Sequence, residues 1–418
     1  MSPDEQIQED NWVVLSATDG KKVLGHVSRN SSARIGKRKR KIGALLGARW
    51  GDLFAVRSGD RLEPVEEEQS FNVTAETEMG TERNNQYLED TNENQKLEQS
   101  TILAMKEQGI EGEQLVRTVV ENSLTFRGKT AFSQEKYIKR KRAKFDLKVR
   151  VLRPTALTLC ETYFERSPEK TMHLRPDGLA ILLGYAGVRS GCRALVYENC
   201  TGLVTAAVAE RIDGVGKVIN IFSGTTPPGT EVIRMLNLDS LHTKAIVHTP
   251  IELLGMVDVS QSEDNDPLRY VTVEDAITEK TGTKHVPSAR RAEAIAMRAK
   301  RGDVKSWIRD GCDCLIVATR FDVVQVFDVL LKHLAPSGCF AAYCMHLQDA
   351  ADLQYALQLS KMAMRVELLE VSLVNHQVLP GRSHPAMTDS ATGGYIVSGV
   401  RIAMPSAMAS SDNGEKSN

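Results

Sequence analysis

The stretch ALVYENCTGLVTAAVAER, residues 194–211, decides how most of this chain is expected to fold. Its apolar run Ala194–Glu198 predicts a buried strand, the turn Asn199–Gly202 follows, and a helical pattern continues through Arg211. A second apolar run, Lys217–Phe222, predicts the next strand. A strand, a turn, a helix and another strand in this order are typical of a parallel α/β sheet.

The same alternation continues toward the C-terminus, and it extends the predicted sheet over residues 148–404. Further strands are predicted at Cys314–Ala318 and Cys339–Cys344, with weaker ones at Lys244–His248 and Leu253–Val257, and helices at Val323–Leu334 and Ala350–Lys361. The runs Val366–Val374 and Tyr395–Ile402 follow each other without a helix, which predicts an antiparallel hairpin at one edge. We therefore expect a doubly wound α/β sheet with a polar insertion at 260–309 and a disordered tail at 405–418.

The first part of the chain has a different pattern. Short β-like runs at Trp12–Ser16, Val23–His26 and Leu53–Arg57 alternate with turns, which predicts a small β-barrel or sandwich over residues 1–92, ending in a polar acidic stretch. Residues 93–147 carry helical periodicity and predict a helical connector of three helices, the third capped by Ser133.

Composition sets limits on the class of protein. The 418 residues carry a formal net charge of −1, which by itself selects no partner. No run of eighteen apolar residues is present, so we expect no membrane span, and the acidic N-terminal residues do not resemble a secretory signal. Seven cysteines without a CxxC pair favour reduced thiols in the cytosol or nucleus and predict no metal site.

The turn after the first strand of the sheet is where ligands bind in open α/β sheets. Here it looks like the S-adenosylmethionine loop of a methyltransferase, in which several glycines follow an acidic strand end. The chain keeps Glu198 and Gly202, but Cys200 and Leu203 stand where small residues are expected. Because a Cβ would collide with a closely approaching cofactor, the turn is interpreted as a degenerate cofactor loop.

Two further strand ends support this interpretation. A methyltransferase commonly ends its second strand with a carboxylate for the cofactor ribose, whereas this one ends at Ser223. A catalytic homologue would also place an Asp at the end of a later strand, where this chain has Thr319 and Arg320. The sequence therefore predicts no bound cofactor and no catalytic residue in this subunit.

Two basic runs predict contacts with nucleic acid. The first is dense enough that its cations repel one another and are not expected to share one helical face: Lys136, Lys139, Arg140, Lys141, Arg142 and Lys144. A phosphate backbone would offset that repulsion, although a solvated helix or a nuclear-import signal is an alternative. The second run follows Gly36 on a predicted turn, where import signal and RNA contact are equally open: Lys37, Arg38, Lys39, Arg40 and Lys41.

A third candidate surface lies at the rim of the predicted sheet. The loop LPGRSHP, residues 379–385, joins the last two strands, and two prolines stiffen it. Arg382 is predicted to contact a phosphate or a partner protein, whereas His384 is more typical of a surface histidine than of a general base. Arg320 is placed at the same rim, with an intradomain salt bridge as the alternative.

Several segments in order carry a resemblance to a known family: MKEQGIEG (105–112), ENSLTFR (121–127), FSQEKYIKRK (132–141), ENCTG (198–202), IVATRF (316–321), QVLPGRSHP (377–385) and GGYIVSG (393–399). Together they resemble the non-catalytic, RNA-binding subunit of the eukaryotic tRNA (adenine-N1)-methyltransferase, over about residues 11–403. The resemblance implies a heterotetramer of two catalytic and two non-catalytic subunits. We expect the chain to be located in the nucleus. It also implies that the catalytic partner holds S-adenosylmethionine, and that Arg320 and Arg382 lie near the partner's active site.

Two other functions stay open on the sequence. One is a self-sufficient methyltransferase with an atypical cofactor loop, which tight binding of S-adenosylmethionine to the isolated chain would reveal. The other is an RNA-binding scaffold such as a translation initiation factor, which would not copurify with a methyltransferase subunit.

Overall fold

A computed structural model of the chain describes residues 6–36, 38–57, 61–65, 97–110, 112–260, 262–268, 270, 298–379, 382–387 and 392–403. The chain divides into two compact units, residues 1–154 and 155–418. Each unit has its own apolar core. In the described residues no helix is long and apolar enough to cross a membrane.

The first unit is built on antiparallel strands. They are β1 Trp12–Ala17, β2 Lys22–His26, β3 Ser32–Ile35, β4 Arg38–Lys41, β5 Leu53–Arg57, β6 Arg61–Val65 and β7 Lys148–Leu152. Five of them form one sheet in the order β2-β1-β7-β5-β6, and β3 and β4 form a separate two-stranded ladder. The predicted barrel or sandwich therefore takes the form of two antiparallel sheets around one apolar core, which includes Val13, Leu15, Ile35 and Leu45.

Strand β7 corrects the predicted domain boundary. It pairs with β1 and β5, and its Val149 and Val151 are fully buried in the core of the first unit. The second unit therefore begins at Thr155 rather than at residue 148, and the helices of the predicted connector belong to the first unit. Alternating inward valines are equally compatible with either sheet, so the sequence pattern could not decide between them.

Three helices complete the first unit: α1 Gln99–Glu107, α2 Glu113–Glu121 and α3 Ala131–Phe145. The apolar face of α2 is buried through Leu115, Val116 and Val119. The cap of α3 is Thr130, whose hydroxyl accepts the N–H of Ser133. The prediction of Ser133 as the cap was wrong, because the observed cap lies three residues earlier and the helix begins at Ala131.

The second unit is a seven-stranded sheet and confirms the predicted α/β class. Its strands are β8 Arg193–Glu198, β9 Lys217–Phe222, β10 Ile246–Pro250, β11 Cys312–Ala318, β12 Leu334–Cys344, β13 Ala363–Ser372 and β16 Thr392–Arg401. The order is β10-β9-β8-β11-β12-β16-β13. All neighbours run parallel except β16, which is antiparallel to β12 and β13, so the predicted antiparallel pair closes one edge.

Helices flank this sheet: α4 Ala156–Arg166, α5 Pro176–Tyr185, α6 Leu203–Ile212, α7 Thr230–Met235, α8 Ser240–Ala245, α9 Arg301–Arg309, α10 Val323–Leu330 and α11 Leu347–Ser360. Two predicted elements differ. Residues Ile251–Met256 form a 3₁₀ helix where a strand was expected at 253–257. Helix α10 ends at Leu330 and not at Leu334, and strand β12 begins at Leu334, five residues before the predicted start at Cys339.

Two predicted segments lie partly or wholly outside the described residues. Of the insertion expected at 260–309, residues 271–297 are outside, and its end forms α9. The tail expected at 405–418 is outside entirely.

Candidate functional site

The acidic end of β8 is used inside the fold. Glu198 is buried, and its carboxylate accepts the backbone N–H of Thr205 at 2.6 Å and of Val204 at 3.2 Å. Burial raises the pKa of the Glu198 carboxyl, and the hydrogen bonds from Thr205 and Val204 oppose that shift. A carboxylate at this position stabilises the first turn of α6, where unpaired N–H groups and the helix dipole favour negative charge.

The turn between β8 and α6 is covered by the chain's own backbone. Gly202 has a φ of +87°, and a Cβ built on it would lie 1.7 Å from the carbonyl oxygen of Gly229. A Cβ on Gly229, at a φ of +72°, would lie 2.1 Å from the carbonyl carbon of Thr201. Both positions therefore require glycine, since any side chain would collide with backbone. The sequence pattern had marked Gly202 only as a remnant of a cofactor loop and gave no signal for Gly229.

The two residues that break the glycine pattern point into the protein. Cys200 and Leu203 are both fully buried. Burial raises the pKa of the Cys200 thiol well above its ordinary range, so that thiol stays protonated. Their side chains fill the core at this turn, which explains why larger residues are accommodated where a cofactor loop needs small ones.

Neutral groups join the neighbouring strand ends. The Asn199 side-chain oxygen accepts the Thr319 hydroxyl at 3.0 Å and the Arg320 N–H at 3.1 Å, and the Asn199 N–H donates to the Ala318 carbonyl at 2.8 Å. At the end of β9, the hydroxyls of Ser223 and Tyr197 are 3.2 Å apart. The sequence analysis did not identify Asn199, whose side-chain amide and backbone N–H link the carboxyl ends of β8 and β11.

Arg320 lies at the rim of the sheet, as predicted, but without the salt bridge given as its alternative. Its guanidinium donates to the backbone carbonyl of Glu169, and among the described residues it has no acidic partner within salt-bridge distance. The neighbouring Phe321 is 58% exposed. This cation therefore keeps a net positive charge at the carboxyl edge.

The basic helix α3 presents part of its charge on one face. Lys136, Lys139, Arg140 and Lys144 are exposed. Residues spaced by four lie above one another on a helix, so Lys136, Arg140 and Lys144 form one row with Lys139 beside it. The opposite side holds Ile138, which is 8% exposed. The expectation that all six cations cannot share one face agrees with this arrangement, because only these four lie on the exposed face.

The remaining two cations of this run have partners within the first unit. Arg142 forms an ion pair with Glu113 on α2, with Nη2 at 2.6 Å from Oε1. The hydrogen bond to Glu113 raises the pKa of Arg142. Lys141 stacks over the ring of Tyr137 at 4.9 Å. Arg142 was predicted to bind RNA; in the structure its ion pair joins α3 to α2, and its contact with RNA stays a prediction.

The second basic run forms a strand and not the predicted turn. Arg38–Lys41 is β4, paired with β3, and Lys37 lies outside the described residues. Arg38 and Lys39 are exposed. Arg40 is half-buried, and its Nη1 donates to the carbonyl of Arg57 at 3.1 Å, so this predicted RNA-binding cation is used to hold the hairpin.

The third candidate surface, the segment between β13 and β16, contains a short two-stranded antiparallel sheet. Strand β14 His376–Leu379 pairs with β15 Arg382–Pro385. The His384 ring nitrogen Nδ1 lies 2.9 Å from the carbonyl of Pro385, so it has a local backbone contact. The side chain of Arg382 lies outside what the structure describes, and its predicted contact stays a prediction.

The remaining reactive side chains are the cysteine thiols and the groups that could bind a metal ion. All seven cysteines are free, and six of them are buried. Cys192 and Cys314 lie closest, with their sulfurs 4.0 Å apart. In the described ranges no group of three or more histidine, cysteine or acidic side chains is arranged to hold a metal ion.

Comparison with known proteins places these features in a family. Residues 6–284 match the model of the Gcd10p family. The tRNA (adenine(58)-N(1))-methyltransferase non-catalytic subunit TRM6 of Mus musculus is 30% identical over 462 residues, covering 97% of this chain and 90% of that protein. The protein of the same name from Dictyostelium discoideum is 27% identical, covering 96% of this chain and 80% of that protein.

A solved structure agrees with the fold. A SAM-dependent O-methyltransferase from Thermotoga maritima superposes with a TM-score of 0.50 at 11% identity, covering 97% of both chains. At that identity the likeness concerns the fold alone, which is a methyltransferase-like α/β sheet. The family model spans well over half of the sequence and includes the covered turn and the basic helix. This chain is a member of the Gcd10p family.

Proposed function

We propose that this chain is the non-catalytic subunit of a tRNA (adenine-N1)-methyltransferase. It binds tRNA, holds no cofactor of its own, and supports a catalytic subunit that carries S-adenosylmethionine. Its named relatives are non-catalytic subunits of that enzyme, which implies a catalytic partner. We further propose an assembly of two subunits of each kind, located in the nucleus.

The observation that carries the proposal is the approach of Gly229 to Gly202. Ligands of open α/β sheets lie over the first strand–helix turn, where backbone must be accessible. Here the carbonyl of Gly229 takes the space that a Cβ on Gly202 would need, and Glu198 is turned inward to cap α6. The chain therefore keeps the architecture of a methyltransferase and replaces cofactor contacts by contacts with itself.

The exposed row on α3 supports the tRNA-binding part of the proposal. Four cations on one helical face, with no acidic partner among the described residues, raise the local positive potential, and a phosphate backbone lowers that energy on binding. The helix is held in place by the Arg142–Glu113 ion pair and by the 3.2 Å pair between Lys148 and Asp146. A fixed helix loses less conformational entropy when it binds.

Coexpression with a candidate catalytic subunit tests the proposal. The two chains should copurify, and the complex should methylate the N1 position of an adenine in a tRNA transcript, whereas this chain alone should not. A matched reaction with a catalytically disabled partner should abolish methylation completely. Methylation by this chain alone would favour a self-sufficient methyltransferase, and failure to copurify would favour an RNA-binding scaffold such as an initiation factor.

Nuclear location is tested separately in cells. A fluorescent fusion of the full chain should accumulate in the nucleus, and a cytosolic distribution would contradict this part of the proposal. Its outcome does not bear on the assembly with the catalytic subunit, which is measured with purified proteins.

A further inference from the structure

The β3–β4 hairpin presents a cationic face that the linear sequence does not display. Ala33 and Ile35 of β3 are buried in the core of the first unit, so Ser32 and Arg34 point outward. Arg34 is paired directly with Lys39, and Ser32 with Lys41. Residues opposite each other in a strand pair share a face, so Arg34, Lys39 and Lys41 lie together on the solvent side.

The charges of this face are uncompensated within the described part of the chain. Arg34, Lys39 and Lys41 are exposed and have neither an ion pair nor a side-chain hydrogen bond there. The segment from Ser32 to Lys41 contains no acidic residue. Like charges directly opposite in a strand pair are destabilising, and Arg34 and Lys39 are such a pair. A bound anion would remove that penalty.

The tip of the hairpin adjoins the end of the basic helix. Gly36, at a φ of +63°, lies so that a Cβ on it would be 3.2 Å from Cδ2 of Leu147. Leu147 follows the last residue of α3 by two positions, and its carbonyl accepts the N–H of Val56 on β5 at 2.9 Å. The tip of the hairpin and the C-terminal end of α3 are therefore close together in the first unit, although the two basic runs are about a hundred residues apart in the sequence.

We propose that the hairpin face, with Arg34, Lys39 and Lys41, and the exposed row of α3 bind the phosphate backbone of one RNA as a single surface. This inference rests on the proposed tRNA-binding function and adds to it a second contact that includes Arg34. It also separates the hairpin cations by role: Lys39 and Lys41 face the RNA, whereas Arg40 holds the hairpin to β5.

Another role for lysines on a short exposed strand is to prevent pairing with other chains. That role requires charge but no RNA, so it predicts that neutral variants aggregate while tRNA affinity per folded molecule is unchanged. A nuclear-import signal likewise predicts unchanged affinity. Phosphate binding predicts a change in both affinity and its salt dependence, because each phosphate contact releases counterions.

The test measures binding of an unmodified tRNA transcript to the full-length chain in complex with its catalytic partner, from 50 to 200 mM salt. Four variants are compared with the wild type: Arg34→Ala/Lys39→Ala, the charge-matched control Lys21→Ala/Arg61→Ala, the charge-preserving Arg34→Lys/Lys39→Arg, and Lys136→Ala/Arg140→Ala on the helix. Lys21 and Arg61 are exposed cations of the same unit outside the hairpin. Size-exclusion chromatography checks that each complex stays assembled and unaggregated.

We expect the hairpin variant to bind several-fold more weakly, with a slope of log affinity against log salt shallower by up to about 0.7–0.9 per lost contact. The helix variant should show the same kind of loss in affinity and in salt slope. The charge-preserving variant should bind as the wild type does. An unchanged hairpin variant beside a weakened helix variant would overturn this inference and leave the proposed function intact. An equal loss in the control variant would also overturn it, because net charge would explain the effect. If neither the hairpin nor the helix variant changed binding, the proposed tRNA contact of α3 would fall as well.

Discussion

The carbonyl oxygen of Gly229 and the α-carbon of Gly202 approach so closely that a Cβ on Gly202 would lie 1.7 Å from that oxygen. The loop after β8 and the loop after β9 therefore pack against each other through their backbones, at the carboxyl edge of the sheet. The contact makes the cofactor-loop glycine a structural residue. It also predicts that position 202 tolerates no side chain, irrespective of any ligand.

Substitution of Gly202 tests this directly. Gly202→Ala should lower the free energy of unfolding by the left-handed backbone cost of about 1–2 kcal/mol plus an overpacking cost of about 1–3 kcal/mol. Gly224→Ala is the matched control, because Gly224 has a φ of +93° with nothing within 4 Å of its Cβ, so it should show only the first cost. Urea denaturation of both variants measures the difference. Equal destabilisation would show that Gly229 moves aside freely.

Binding of S-adenosylmethionine to the isolated chain should be undetectable. Backbone covers the turn after β8, and the Glu198 carboxylate is used to cap α6. Strand β9 is followed by the neutral Ser223 and not by a carboxylate, so neither strand offers the usual contacts to the cofactor. Calorimetry with cofactor at tens of micromolar should show no heat, which places any dissociation constant above that range. The complex with the catalytic subunit serves as the positive control. A stoichiometric micromolar isotherm for the isolated chain would refute the covered-site interpretation.

Neutralising the exposed row of α3 should weaken tRNA binding without weakening the fold. In Lys136→Ala/Lys139→Ala/Arg140→Ala/Lys144→Ala we expect affinity to fall at least several-fold and the salt slope to shrink by up to about 0.7–0.9 per lost contact. The loss should be similar for different tRNAs, because backbone contacts carry no base information. Filter binding at several salt concentrations measures both quantities.

Arg142→Ala is the comparison that separates binding from stability. Because Arg142 pairs with Glu113 at 2.6 Å, its loss should lower stability by about 1 kcal/mol and change tRNA affinity less than the loss of an exposed cation. Identical affinities and slopes for the fourfold variant and the wild type would leave α3 as a solvated or targeting helix.

Assembly with the catalytic subunit should depend on the second unit. Strand β13 lies at the edge of the seven-stranded sheet, and among the described residues no further strand pairs with it. Such a ten-residue edge favours cover by another chain. A truncated chain starting at Thr155 should still copurify with the partner, and the cut belongs there because β7 is part of the first sheet. Circular dichroism of the truncated protein verifies that it is folded. Loss of copurification by a folded truncated protein would place the essential contacts in the first unit.

Acid should destabilise the second unit partly through a buried histidine. Burial lowers the pKa of His248 to about 4, and Arg298 adds to the shift. Because the folded state holds this ring neutral, its contribution to stability is complete above about pH 6.5 and is lost as the pH falls from 6.5 toward 4, by at most about 1.4 kcal/mol per pH unit. Asn220 Nδ2 lies 3.0 Å from His248 Nδ1, consistent with a neutral acceptor nitrogen.

His248→Gln should therefore show a smaller loss of stability between pH 6.5 and 4.5 than the wild type, measured by urea denaturation at each pH. His333, whose pKa burial lowers to about 4, should keep its own contribution in that variant. An unchanged pH slope in His248→Gln would mean that His248 is not linked to folding.

The sequence by itself determined the local elements and the class of fold. Apolar runs with turn residues between them located β8, β9, β11, β13 and β16, because strand and helix periods are properties of consecutive residues. It also showed that the glycine pattern of the cofactor loop is broken at Cys200 and Leu203. The sequence pattern assigned Lys148–Leu152 to the second unit and predicted a strand at Leu253–Val257. Both predictions were wrong, because pairing partners and not local pattern decide these structures.

Only the tertiary structure decided what the individual site residues do. The pairing of Arg142 with Glu113, the position of Gly36 beside Leu147 and the closure of Gly229 on Gly202 each join residues that are 27 to 111 positions apart. Charge and glycine patterns report which chemistry a segment carries. Which side chains remain exposed for a partner depends on packing between segments, because a cation already paired within the fold no longer offers its full charge to a phosphate.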